Sequence, residues 1–254
     1  MDIVFSSASH HALLFAFTAR EAIRVYGAAG SEAITDAVKR YGLQRGRRMA
    51  MRARIDCNPI NAMTYEMYSE WACFPGQVEC TADVCDGVCR LHYSRCPWYT
   101  EWKHFDLLPY GKLYCAHIDD AILEGFGLHE GRLTSSRIDH HQYCELEFHD
   151  PVYTEENNAF YAAEREKLGT KAIMPWEYHV GHLFACLKYS LVQRFGAGSE
   201  QIIEKALKDY STQFGEGALR LIPEWADLDF NELPAYKSYR IEEIDQISNK
   251  TDER

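Results

Sequence analysis

Residues 78–93, VECTADVCDGVCRLHY, decide the fold class, because they interrupt a largely helical chain with a strand pattern. Apolar residues alternate with polar ones on both sides of Asp86-Gly87, a favoured two-residue turn between antiparallel strands. A second antiparallel pair is predicted by GRLTSSRID (131–139) and YCELEF (143–148). The middle of the chain is therefore predicted to form an antiparallel sheet.

Two segments with helical apolar spacing lie on either side of this sheet, at residues 10–54 and 179–222. Each contains a glycine break, at Gly27 and Gly196, followed by a Gly-Ser-Glu start of a second helix. The shared pattern favours one helical hairpin used twice, although two amphipathic hairpins could also converge on it through common helix residues. Each apolar stripe needs a partner, so we expect the hairpins to pack near each other in an α+β fold, with the antiparallel sheet flanked by the N-terminal and C-terminal hairpins.

We expect a single α+β domain over residues 1–254. It divides into the hairpin 10–54, a central site region 55–150, a C-terminal helical region 151–230 and an acidic tail 231–254. Within the central region, the apolar spacing predicts one helix from about Tyr110 to Glu124, ended by Gly125.

The composition excludes several classes of function. The chain has 27 basic and 38 acidic residues and a formal charge of −11, so a nucleic-acid partner is not expected. No run of 18 apolar residues predicts a membrane span, and the start of the chain has no basic segment typical of a signal peptide. Nine cysteines without a CxxC pair predict reduced thiols, a cytoplasmic location and no zinc ribbon.

Cys115 and Asp119 are the first candidates for chemistry. Four residues apart in the predicted helix, they would lie together along one edge of its apolar stripe, with His117 on the other edge. A thiol and a carboxylate in such a place are desolvated enough to shift their pKa values, yet a ligand can reach them. The alternative is a core cysteine beside a solvated aspartate.

Other cysteines and histidines extend this set. Cys96 ends the second predicted strand before a proline, where either a site or a strand-terminal core residue is expected. His140 and His141 occupy a predicted turn beside Cys144, so they could ligate a metal with Cys144 and Cys115, or be simply solvated.

Arg45 and Arg48 are candidates for binding an acidic group. They lie three residues apart on the second predicted helix, the spacing that places two side chains on one face. They could hold a substrate carboxylate, or form a surface charge cluster.

The chain resembles the L-2-amino-thiazoline-4-carboxylic acid hydrolase family over roughly residues 30–150. The resemblance rests on four motifs in order: RYGLQRGRRMA (40–50), RCPW (95–98), CAHIDDAILEGF (115–126) and YCELEF (143–148). It departs from the family at the turn DHHQYC (139–144), where family members usually carry a glycine in a turn like GDDYC. The resemblance favours Cys96, Cys115, Asp119 and Cys144 as site residues.

The resemblance implies a hydrolase that opens a small cyclic amidine, isothiourea or amide ring. In the family's named reaction, water adds at the carbon between sulfur and nitrogen, which gives N-carbamoyl cysteine. Such a carbon needs a nucleophile, an acidic partner for the protonated ring and a cation for the carboxylate.

Several residues could take these roles. Cys115 or Cys96 would attack as thiolate or position water, and Asp119 would bind the protonated ring. Protons would be carried by His117 or His140, and the carboxylate would be anchored by Arg45 or Arg48. In a variant, a metal-bound hydroxide is held by Cys115, His140 or His141, and Cys144, so the cofactor is either none or one divalent ion such as zinc.

A fainter resemblance to vinyl-reductase-like ligand-binding domains gives a second hypothesis. In those domains, a helix cysteine and late cysteines bind a structural zinc beside a small-molecule pocket, and Cys115 and Cys144 are the counterparts here. The chain would then be a non-catalytic small-molecule-binding or metal-binding module. A scaffold protein is a third class, and a homo-oligomer stays open.

Overall fold

The computed structural model describes residues 7–129, 131–150 and 153–234. Its helices are α1 (Ala8–Ile55), α2 (Ala62–Met67), α3 (Pro97–His104), α4 (Leu108–Cys115), α5 (Ile118–Phe126), α6 (Glu155–Leu168), α7 (Trp176–Phe195) and α8 (Glu200–Ala226). Its strands are β1 (Glu79–Cys85), β2 (Val88–Arg95), β3 (Gly131–Ser135) and β4 (Cys144–Phe148). Helices flank one antiparallel sheet, so the predicted α+β class is confirmed. Residues 235–254, most of the predicted acidic tail, lie outside the described residues.

The sheet has the strand order β1-β2-β4-β3, with every neighbouring pair antiparallel. Asp86 and Gly87 both have positive φ, 54° and 77°, which is the backbone that a tight Asp-Gly hairpin turn requires. Cys89 in β2 pairs with Phe148 in β4, and both are buried against the helices. Both predicted strand pairs are thus confirmed, although β1 alternates without burying a face, because it is an exposed edge strand.

The first predicted helical hairpin is α1, bent at Gly27. This glycine has φ 55° and ψ −127°, a conformation that suits a residue without Cβ. The His11 ring lies 5.3 Å from the Tyr41 ring, although 30 positions separate the two residues. A straight helix would hold them about 45 Å apart, so the two halves of α1 run antiparallel.

The second hairpin consists of α7, a short 3-10 helix at Gly196–Ser199, and α8. Gly196 repeats the Gly27 backbone, with φ 53° and ψ −131°. Tyr26 and Phe195, the residues just before the two breaks, stack with ring centroids 3.9 Å apart. The predicted packing of the hairpins against each other is therefore confirmed, and it extends to the bends themselves.

The single helix predicted from about Tyr110 to Glu124 is wrong. Helix α4 ends at Cys115, and α5 begins at Ile118 after His117, which has φ −137° and ψ −20°. Gly127, with φ 90°, ends α5 in place of Gly125. Gly125 serves close packing instead, since a Cβ there would lie 2.3 Å from the Leu43 carbonyl oxygen.

Helix α5 lies directly on the backbone of the second half of α1. A Cβ added at Gly46 would stand 2.1 Å from the Ile122 carbonyl oxygen, and one at Gly42 would stand 2.6 Å from Ala121 Cβ. Two helices can approach this closely only where side chains are absent or small. This contact fixes the position of α5, which carries Asp119, against the helix that carries Arg45.

In the described part of the chain, the structure contains no helix both long and apolar enough to cross a membrane.

Candidate active site

A buried ion-pair network lies between the two hairpins, around Glu70. Arg48 donates from Nε and Nη2 to the two carboxylate oxygens, at 3.2 and 2.9 Å, and Arg52 donates from Nη1 at 2.5 Å. Burial opposes ionisation of Glu70, but the arginines hold the pKa of its carboxyl far below the ordinary range. Arg48 also donates from Nη1 to the Phe230 carbonyl oxygen at 2.7 Å. Arg48, one of the two predicted carboxylate anchors, is therefore bonded to groups of the protein itself.

Arg45 lies in the same region, and several of its N–H groups donate no hydrogen bond to the described residues. Its guanidinium stacks on the Trp71 ring, 3.3 Å from the centroid. Its Nε lies 3.7 Å from Glu70 Oε2, beyond hydrogen-bond distance. Among the described residues, Nε and Nη1 of Arg45 find no hydrogen-bond partner, although the side chain is only 3 % exposed. Arg45 is thus a buried cation with donors that a ligand could use.

His11 and Tyr114 add two more buried donors beside Arg45. His11 Nδ1 accepts a hydrogen bond from Trp98 Nε1 at 3.0 Å, which assigns the ring proton to Nε2. Burial, then the neighbouring His179 and Arg45, keeps the pKa of His11 well below its ordinary value, so the ring is neutral.

The Tyr114 ring lies 5.6 Å from the His11 ring, and burial raises the pKa of its hydroxyl well above the ordinary value, so the hydroxyl keeps its proton. Within residues 7–129, 131–150 and 153–234, neither His11 Nε2 nor Tyr114 Oη has a partner. We call His11, Arg45 and Tyr114 the donor cluster.

The four residues favoured by the family resemblance come together from four elements. Cys96 caps the start of α3, Cys115 ends α4, Asp119 lies in the first turn of α5, and Cys144 begins β4. Every pair among them is close enough for one charge to shift the pKa of the other group. All four are partly buried, as a site reachable by a ligand requires. We call Cys96, Cys115 and Cys144 with Asp119 the thiol cluster.

Desolvation sets the protonation of the thiol cluster. Burial raises the pKa of Cys96 to about 12 and that of Cys115 well above its ordinary value, and it also raises the pKa of Cys144. Burial, with Asp120 adding to it, raises the pKa of Asp119 to about 6. Near neutral pH the thiols are protonated, and the carboxyl is close to its titration point. A bound cation would lower all of these pKa values.

The two clusters adjoin each other. The Asp119 and Cys115 charges raise the pKa of the Tyr114 hydroxyl, and the Arg45 charge lowers both that pKa and the pKa of Asp119. The combined site has a cation at one end and a titratable carboxyl at the other.

The predicted histidines do not join this site. His117 starts α5 with Lys39 and Asp120 as its electrostatic neighbours, and burial lowers its pKa. His140 and His141 are exposed, and Cys144 Sγ instead accepts a hydrogen bond from the Arg137 backbone N–H at 3.3 Å. Across the described ranges, no three His, Cys, Asp or Glu side chains are placed to hold a metal. The predicted ligands Cys115, His140, His141 and Cys144 are thus not assembled.

Sequence reasoning missed Glu66, a second carboxyl near the site. It lies on α2, and burial raises its pKa to about 7, with Asp119 adding to the effect while Arg165 and Arg45 oppose it. Its position 53 residues before Asp119 gives no spacing signal. His11 was missed for a similar reason, although a histidine within an apolar helical run is a signal that could have marked it.

A surface cleft of about 610 Å³ borders the thiol cluster. Its walls include Ser94 and Arg95 just before Cys96, Tyr99 and Thr100 just after it, and Arg137. Arg137 stacks over Tyr99, with its guanidinium carbon 4.5 Å from the ring centroid. Arg95, Lys103 and Arg137 make the cleft basic in a chain of net charge −11, although Arg95 pairs with Glu79 of the same wall at 3.1 Å.

Comparison with known proteins gives one family assignment. Neither the curated proteins nor the solved structures gave a significant match. The family model described as L-2-amino-thiazoline-4-carboxylic acid hydrolase matches residues 7–148, more than half of the chain. The matched segment begins earlier than the resemblance predicted and contains every residue of the donor and thiol clusters. The chain belongs to the L-2-amino-thiazoline-4-carboxylic acid hydrolase family.

Proposed function

We propose that the protein is a hydrolase that opens a small cyclic amidine, isothiourea or amide ring by adding water. Family membership supports a hydrolase of this kind. The observation that carries the finer proposal is that Arg45 and Asp119 interact across a desolvated site that also holds Cys115. A ring protonated on nitrogen and bearing a carboxylate has the matching pair of charges.

Asp119 binds the protonated ring in this proposal. Its raised pKa shows that the site penalises a lone negative charge, and a bound amidinium removes that penalty. Protonation of the ring nitrogen also makes the carbon between nitrogen and sulfur electrophilic. Arg45 holds the carboxylate at the other end, which orients that carbon towards the thiols.

Cys115 is the reacting thiol in our preferred sequence. Its proton passes to Asp119 as Sγ bonds to the ring carbon, the bond from that carbon to the ring sulfur breaks, and the ring sulfur takes the proton. Water then adds to the same carbon and releases the Cys115 thiol, so one water is consumed overall. The bound cation is essential, because burial otherwise keeps Cys115 protonated.

Substitution of Cys115 tests this role. Cys115→Ser should leave the melting temperature within about 2 °C and lower kcat/KM for ring opening by about 100-fold or more, since a serine hydroxyl is far less readily ionised. Ring opening of 2-aminothiazoline-4-carboxylate and related heterocycles is followed by NMR. Asp119→Asn should also lose turnover, because a neutral amide does not balance the ring charge.

Cys186→Ser is the matched control. Cys186 is a buried thiol in α7, where its Sγ donates to Gln44 Oε1 at 3.4 Å, a contact that serine can keep. Full activity in a folded Cys115→Ser protein would remove Cys115 from the reaction. If Cys96→Ser were inactive instead, the nucleophile would be Cys96.

A non-catalytic small-molecule-binding module is the second candidate function. The observation that favours it is that burial raises the pKa of all three clustered thiols, so a nucleophile is not ionised in the free protein. Tight binding of a heterocycle without any turnover by the wild type would select this candidate over the hydrolase.

A further inference from the structure

The donor cluster presents hydrogen-bond donors without acceptors. In the described part of the structure, unpaired positions are found at Arg45 Nε and Nη1, His11 Nε2 and Tyr114 Oη. The side chains of His11, Arg45 and Tyr114 are between 0 % and 3 % exposed. Leaving a buried polar group unpaired destabilises the folded protein, and a charged group does so more strongly. Three such residues side by side indicate that a ligand supplies the acceptors.

The charges around the cluster indicate what kind of acceptor fits. Glu70 bonds Arg48 and Arg52 directly but stays 3.7 Å from Arg45 Nε, so the Arg45 charge lacks a hydrogen-bonded counter-ion among the described residues. The open N–H groups of this guanidinium can each donate a charge-assisted hydrogen bond, and a carboxylate oxygen is a suitable acceptor. His11 Nε2–H and Tyr114 Oη–H can donate to the remaining lone pairs.

Aromatic side chains pack beside the donor cluster. Trp71 stacks under Arg45, and its ring centroid lies 4.6 Å from that of Trp98 and 6.2 Å from that of Trp176. Trp98 is held by its bond to His11. Flat aromatic faces of this kind favour a planar ligand over an extended chain.

We propose that His11 and Tyr114 are specificity-determining residues that, with Arg45, bind the carboxylate of a small planar ligand. The identity of the rest of the ligand rests on the proposed function. The donor cluster makes a free carboxylate a requirement for binding, because an uncharged group would leave the Arg45 donors unpaired.

The test uses two stable probes and the full-length protein. 2-Aminothiazole-4-carboxylate has an aromatic ring that resists opening, and 2-aminothiazole differs from it only by lacking the carboxylate. Affinities are measured by calorimetry, and tryptophan fluorescence reports binding near Trp71. The wild type should bind the carboxylate at least 100-fold more tightly, since charge-assisted hydrogen bonds are each worth about 1.5–3 kcal/mol.

Two variants remove one donor each. Tyr114→Phe should weaken binding of the carboxylate about tenfold, leave binding of 2-aminothiazole unchanged, and leave the melting temperature of the free protein equal or higher. His11→Asn places an oxygen where Nδ1 accepts from Trp98 while removing Nε2–H, and should have the same effect on affinity.

Tyr178→Phe is the matched control. Its hydroxyl is also buried and unpaired among the described residues, but its ring lies 5.2 Å from Phe230 and faces the guanidinium of Arg48, whereas that of Arg45 lies on Trp71. This variant should bind both probes as the wild type does.

The outcomes separate this proposal from the hydrolase. Equal wild-type affinity for the two probes, no binding of either, or unchanged affinity in Tyr114→Phe overturns the carboxylate pocket. Ring opening of 2-aminothiazoline-4-carboxylate with an unchanged KM in Tyr114→Phe overturns the pocket alone. Carboxylate-dependent binding without any ring opening supports the pocket and overturns the hydrolase.

Discussion

The pKa of the Asp119 carboxyl is set by its buried environment, and this pKa decides which proton transfers the residue can take part in. Desolvation raises the pKa of its carboxyl to about 6, so it ionises within the pH range in which an enzyme of this kind is assayed. A carboxyl at that point can take up and return a proton without a large energetic mismatch. Burial raises the pKa values of the thiols beside it, so the carboxyl titrates at a lower pH than the thiols do.

The raised pKa of Asp119 predicts how kcat/KM depends on pH. If Asp119 must be ionised to bind the ring, kcat/KM should rise as pH increases through about 6 and level off above it. Rates of ring opening between pH 5 and 8 test this, and Asp119→Asn should lose the rise along with most activity. Glu66→Gln is the necessary comparison, because the pKa of Glu66 is raised to about 7. If the rise of kcat/KM with pH shifted or disappeared only in Glu66→Gln, the carboxylate that binds the ring would be Glu66.

The positions of individual residues also show how much of the site the sequence could predict. Residue types in family order identified Cys96, Cys115, Asp119 and Cys144, which the structure brings together, but their roles stay predictions. The argument from a four-residue helical spacing was wrong, because Cys115 and Asp119 belong to different helices. The donor cluster was not predictable, since an unpaired buried atom is recognised only when all of its neighbours are in place.

At the scale of elements, the site depends on how closely α5 packs against α1. The glycines at 42 and 46 let the two backbones meet, and Gly125 does the same from α5. Ala116 and His117 carry no Gly or Pro that would predict the break before α5. The sequence indicated that Gly125 ends the helix, but this glycine lies within α5 and is needed for packing against α1. The local sequence pattern was misleading at this position because contacts between the two helices determine the structure there.

Gly46→Ala tests this packing. The new Cβ would lie 2.1 Å from the Ile122 carbonyl oxygen, so α5 must move away. We expect a loss of about 1–3 kcal/mol in the free energy of unfolding and at least a tenfold loss of kcat/KM, because Asp119 moves relative to Arg45. Urea unfolding and the NMR assay measure the two effects.

Gly181→Ala provides the comparison, since its Cβ would stand 2.5 Å from Trp225 Cβ in the second hairpin. It should destabilise the protein similarly while the folded fraction keeps its activity. Equal losses of activity in both variants would mean that the α1–α5 contact has no special role in positioning the site.

At the scale of the whole molecule, four buried histidines lie where the two hairpins meet. His10 Nδ1 is 2.7 Å from the Tyr210 hydroxyl, His179 is 3.1 Å from the Glu70 carbonyl oxygen, and His182 is 2.9 Å from Gln44 Oε1. Burial lowers the pKa of His10 to about 4 and that of His179 to about 3, and it holds those of His11 and His182 well below the ordinary value. The association of the hairpins therefore requires neutral rings.

This network predicts acid unfolding. The unfolded chain takes up protons on these histidines below about pH 6.5, whereas burial holds their pKa values in the folded protein below that range. Their contribution to stability is therefore full above pH 6.5 and is lost as pH falls. At pH 5, protonation of the unfolded chain at His10 alone lowers the free energy of unfolding by about 2 kcal/mol. His10→Asn, which can keep a contact with Tyr210 and lies outside the donor cluster, should reduce the pH slope by about 1 kcal/mol per pH unit between pH 6 and 4.5. His141→Asn, at an exposed position, should leave the slope unchanged. Urea unfolding at several pH values measures both, and an unaltered slope in His10→Asn would show that protonation of the hairpin interface does not drive acid unfolding.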